Sequence, residues 1–249
     1  MRQFIGKLKP SNGFSHFLHL FLVILVPLLV LILVRINFIQ LALAIILLSK
    51  WRMFAVKPRY WPVNIRANGV DIIIGVSAVL FMIHTDSLLW QLAWTALYIA
   101  WLTVIKPMTT VLGISAQALL AQLFGLMAIF LEWPSAPLYG LVFASGLICY
   151  ICARHFFDGY EEPYSKLLSY TWAYFAAALT WLLGHWLLYY GLFAQPTILL
   201  SVIGYGIAAL YFFDHNDRLS KLIQREFIFI MLAIIILILS LSNWGNKIV

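Results

Sequence analysis

KWRMFAVKPRYWPVNIR, residues 50–66, carries five basic side chains, four aromatic rings and two prolines, and no acidic residue. Pro58 and Pro62 oppose a continuous helix. Aromatic rings favour the headgroup zone of a bilayer, and Lys and Arg favour the side where anionic headgroups lie. The stretch reads as a loop held at a membrane surface. What flanks it decides whether that reading holds.

On both sides the chain is apolar. Of its 249 residues, 64% are hydrophobic and 10% charged. Soluble domains average about 25% charged residues and roughly 45–50% apolar ones. The excess apolar surface has to face lipid. A transmembrane helix needs about 20 mostly apolar residues. Nine such segments are predicted: 15–34, 36–51, 69–85, 88–105, 108–131, 134–153, 167–190, 193–213 and 226–244. The expected fold class is all-α, a polytopic transmembrane helix bundle forming a single integral membrane domain over residues 1–249. Residues 15–51 as one helix would run about 55 Å, so a hairpin near Arg35 and Asn37 is expected.

Charge placement sets the expected orientation. With nine crossings, fourteen of the sixteen Lys and Arg residues fall on one side: Arg2, Lys7, Lys9, the five of 50–66, Lys106, Arg154, Lys166, Arg218, Lys221 and Arg225. Only Arg35 and Lys247 fall on the other. Basic residues accumulate in cytoplasmic loops, so the N-terminus is placed inside and the C-terminus outside, in a cell membrane. The net charge of +7 reflects this placement, not nucleic-acid binding. The basic start followed by an apolar run imitates a signal peptide. No small-residue cleavage site follows, and the run continues into a second span.

Several side chains are candidates for function. Lys50, Arg52, Lys57, Arg59 and Arg66 would hold a lipid headgroup or phosphate if they converged on one point. Spread along the surface, they would be a topology anchor, meeting anionic headgroups as partners. The acidic residues Asp158 and Glu161 in loop 154–166, with Asp214 and Asp217 in loop 214–225, would bind a divalent cation if they converged. With the basic loop they would serve a membrane-embedded transferase acting on a lipid-linked phosphate. Unconverged, they are solvated charges paired with Arg154, Lys166, Arg218 and Arg225. No cofactor is indicated.

Within the spans, Gln117, Gln122 and His185 are the polar candidates. Ionisable groups inside membranes are costly and often functional. Asp71, Asp86 and Glu132 all lie at helix ends, which weakens ion-coupled transport. Ser145 and His185 would sit about 16 Å and about 8 Å below the outer end of their helices, too far apart to act as nucleophile and base. Cys149 and Cys152, spaced C-x-x-C on one helix face, read as small packing residues.

Small residues at helical spacing (Ala118, Ala121, Gly125 and Ala128 in the fifth span, Ser169, Ala173, Ala177, Thr180 and Gly184 in the seventh) predict close packing. Spans five to eight should form the centre, with spans one, two and nine facing lipid. The leading expectation is a protein that binds or transports a lipid or small apolar molecule, and is not an enzyme. The alternatives are the transferase and a structural subunit of a membrane complex.

Overall fold

The computed structural model describes residues 14–185, 189–190 and 193–241. Arg2, Lys7, Lys9 and Lys247 of the charge tally lie outside them. The architecture is all-helical: α1 Phe14–Arg35, α2 Ile39–Leu48, α3 Trp61–Ala67, α4 Gly69–Ile83, α5 Leu88–Ala100, α6 Val111–Glu132, α7 Leu138–Gly159, α8 Ser165–Gly184, α9 Gln195–His215 and α10 Lys221–Ser240. A π-helical turn, Trp101–Ile105, extends α5. A two-residue hairpin, Tyr189–Tyr190 with Phe193–Ala194, joins α8 to α9.

Among the described residues six helices are long and apolar enough to cross a membrane: α5 with its π turn, and α6 to α10. The α3–α4 pair, bent by 65°, would make a seventh. α2 is shorter than the expected 36–51. Ten residues rise about 15 Å, half a bilayer core. The helix stops because Ser49 turns its hydroxyl back to the Ile46 carbonyl (2.7 Å), and the chain then tightens into a 3₁₀ turn at Trp51–Met53.

Other boundaries also move, for local reasons. α7 continues to Gly159, because Arg154 and Asp158, one turn apart, pair at 3.0 Å. Asp158 therefore sits on a helix rather than in a loop. α9 likewise carries Asp214 on its last turn. α10 begins at Lys221, with the Ser220 hydroxyl accepting from the Ile223 amide at 3.2 Å, which satisfies one orphan donor of the first turn.

The packing centre is α6. Ala118, Ala121, Gly125 and Ala128 are buried as expected. At Gly125 a Cβ would stand 2.6 Å from Ile73 of α4 and 3.0 Å from Ile148 of α7. The missing side chain is what lets three helices meet. The α7–α8 seam is built from small groups: a Cβ on Gly146 would lie 3.3 Å from Ala177, and Ser145 donates to Thr180 Oγ1 at 2.9 Å.

The expected division between centre and periphery is only partly met. α10 is almost wholly exposed, but α4 belongs to the centre, with Val70, Ile74, Ala78, Val79 and Met82 in the core. α1 and α2 also turn one face inward, burying Val30, Ala42 and Ile46 against it. Their Leu-rich outer faces, including Leu22, Ile32 and Leu48, remain exposed.

Candidate functional site

Polar contacts gather at one end of the bundle, where α2, α6 and α8 meet the termini of their neighbours. Asp71, in the first turn of α4, is buried. Its Oδ2 receives both Lys50, just past α2, and Lys106, just past the π turn (the latter at 2.5 Å). Its Oδ1 accepts from the Trp101 indole N–H at 2.9 Å. The Lys50 side chain is only 8% exposed, and burial pushes its ammonium down to about 8 against the pull of Asp71. Beside this trio, the buried Tyr98 hydroxyl has no hydrogen-bond partner among the described residues.

The Lys106 backbone leads onward. Gln117 Nε2 donates to the carbonyls of Ile105 (2.7 Å) and Met108 (3.0 Å), while its Oε1 meets His155 Nε2 at 2.9 Å. Gln117 therefore ties the ends of α5 and α7 to α6, with its N–H groups given to backbone carbonyls. Arg154 is buried between Ser165 Oγ (2.5 Å) and Asp158. Tyr211 of α9 donates to Glu162 Oε2 at 2.5 Å, and the Tyr160 and His215 rings lie 5.1 Å apart, so loops 154–166 and 214–225 do approach one another.

Directly above this polar layer lies a cavity of about 450 Å³ between α6, α7, α8 and α9. Its wall is apolar: Ala118 and Leu119 of α6, Phe156 and Phe157 of α7, Phe175 of α8, Ile203 and Ile207 of α9. Thr171 turns its hydroxyl onto the Leu167 carbonyl at 3.0 Å. Among the described residues no charged side chain lines it. Gln122 lies 11 residues into α6, about 16 Å from its start, so the cavity reaches the middle of that helix. Phe175 and Ile207 are both exposed at its rim (39% and 44%), and the opening faces sideways between α8 and α9.

Gln122 is the polar feature of this wall. Its Oε1 accepts from the Trp172 indole at 2.9 Å and its Nε2 donates to the Leu200 carbonyl at 3.0 Å. An indole N–H only donates and a carbonyl only accepts, so the amide orientation is determined. Gly204 gives it room: a Cβ there would stand 2.8 Å from Nε2. Cys152 borders the cavity while Cys149, fully buried, does not.

The remaining candidates are distributed. Arg52, Lys57 and Arg59 are exposed, and Arg59 lies over the ring of its neighbour Tyr60, 4.5 Å from the centroid. Arg66 sits within electrostatic range of Tyr150. Only Lys50 of the five enters the interior. Asp158 is engaged by Arg154; Glu161 and Asp217 occupy left-handed turns (φ 55° and 53°). Among the described residues no three His, Cys, Asp or Glu side chains are grouped to hold a metal.

His185 lies just past the end of its helix. α8 ends at Gly184, where a Cβ would strike Leu138, and His185 caps the helix in an exposed position with Nδ1 3.3 Å from the Trp181 carbonyl. The Asp71 trio and the Gln122 brackets were missed by sequence reasoning. The spacing of Lys50, Asp71 and Lys106 contains no signal that joins them. No protein family, curated protein or solved structure matches the chain.

Proposed function

We propose that this is a multi-pass integral protein of the cell membrane that binds or moves an apolar molecule in the α6–α9 cavity. The cavity carries this reading. It has the size of a small-molecule site, an uncharged aromatic and aliphatic wall, and a side opening toward the region where lipid would stand. Nine alternating segments with the basic end of the bundle cytoplasmic is the topology that goes with it. Lys50 and Lys106 meet at Asp71, and Gln117 links the Ile105 carbonyl beside Lys106 to His155 beside Arg154, which supports one shared end. On this reading Arg52, Lys57 and Arg59, with exposed Trp51, Tyr60 and Trp61, rest on anionic headgroups of that leaflet.

Mass spectrometry of lipids and small molecules on the purified protein tests the proposal. An apolar species should be enriched over the surrounding detergent and lipid. It should fall at least severalfold in Ile207→Trp, which narrows the cavity mouth, and persist in Phe229→Trp, on the exposed face of α10. Equal retention by all three proteins would remove the cavity from the account.

A further inference from the structure

Resting on that reading, we infer that the cavity selects a neutral, chain-bearing molecule with a carbonyl-type hydrogen-bond acceptor, held by the second N–H of Gln122. A primary amide has two N–H donors. One goes to the Leu200 carbonyl. The other has no protein partner among the described residues, although Gln122 is only 4% exposed and lines the cavity. A buried donor without an acceptor is costly, and a ligand oxygen that fills it recovers that cost.

Three further observations agree. The amide cannot flip to present its oxygen instead, because Trp172 and Leu200 hold it from both sides. Gly204 is needed where it stands, since any Cβ would push Nε2 away from its place. Among the described residues the wall offers no countercharge, so a carboxylate or ammonium would enter without compensation. The chain of such a molecule would lie along Phe156, Phe157, Phe175 and Ile203, and would enter from the bilayer between α8 and α9.

Cys152 supplies the readout. The protein in lipid nanodiscs is treated with N-phenylmaleimide, a neutral reagent that reaches the cavity from the bilayer, and labelling of Cys152 and Cys149 is read peptide by peptide. Competitors of one chain length are compared at equal mole fraction in the bilayer: 2-dodecanone, dodecane and dodecanoate. The ketone should protect Cys152 about fivefold more tightly than the alkane, the worth of one net hydrogen bond. Gln122→Met and, independently, Gly204→Ala should each bring that ratio to about one while leaving protection by dodecane. Equal protection by ketone and alkane in the unaltered protein overturns the acceptor inference and leaves the cavity reading standing. Tightest protection by dodecanoate overturns the neutral class. Labelling of Cys152 that none of the three competitors slows sinks the cavity reading itself.

Discussion

Replacing Asp71 by Asn should be the most damaging single polar substitution at the basic end of the bundle. The carboxylate serves three donors: Lys50, Lys106 and the Trp101 indole. Asn keeps the shape and removes the charge, which strands the Lys50 ammonium in a site that leaves its side chain 8% exposed. Removing one member of a buried ion pair costs about 3–5 kcal/mol, because the other charge stays buried and uncompensated. At roughly 2–4 °C per kcal/mol for a chain of this size, the melting temperature should fall by about 6–20 °C. Lys50→Met should cost far less, about 1–2 kcal/mol, since Asp71 keeps Lys106, itself 43% exposed, and Trp101. The assay is thermal unfolding in mild detergent at pH 7, followed by the fluorescence of the ten tryptophans. At pH 9 the Asp71→Asn deficit should shrink, because Lys50, already pushed down to about 8, is then largely neutral. If Asp71→Asn costs no more than Lys50→Met, the trio contributes little and the buried-charge argument is wrong.

Two further outcomes are expected. Lys50 in the folded protein releases its proton near pH 8, while the unfolded chain holds it to 10.5. The unfolded state therefore binds more protons between those values, and this residue's contribution to stability rises with pH across that window. Wild type should gain on Lys50→Met between pH 7.5 and 9.5 in parallel melts, and a loss would contradict the burial argument. At the opposite end of the bundle, Gly184→Ala places a Cβ 2.0 Å from Leu138 Cδ1, an overpacking worth about 1–3 kcal/mol. Adding Leu138→Ala should recover part of that stability, whereas additive losses would show that α8 and α7 are not in contact there.

The helices were legible because hydropathy alone marks segments that cannot stay in water. Every expected segment contains a helix, and Gln117 and Gln122 were identified as polar groups in apolar helices. Their roles were not legible. Gln122 takes its partners from residues 50 and 78 positions away, and no local pattern encodes a pairing of that range. Asp71 was correctly placed at a helix end, but a carboxylate there looks the same whether it meets water or two lysines. α4 was assigned to neither centre nor periphery, because its Ile, Val and Gly residues suit lipid and a tight core equally well; the approach of Ile73 to Gly125 separates the two. His185 was expected inside a span because apolar residues continue past it. The helix stops at Gly184, and the chain turns into a hairpin.

Gln122 also carries a consequence for how the chain is made. Both protein groups that bond its amide are synthesised after it, Leu200 by 78 residues. At about 5–20 residues per second, translation leaves that amide waiting roughly 4–16 s. During that interval α6 can be inserted but cannot be completed. Assembly therefore runs backward from α9 onto α6, and a ribosome stalled anywhere between the two would leave an apolar helix with an adhesive polar group for a neighbouring protein, or a quality-control protease, to find.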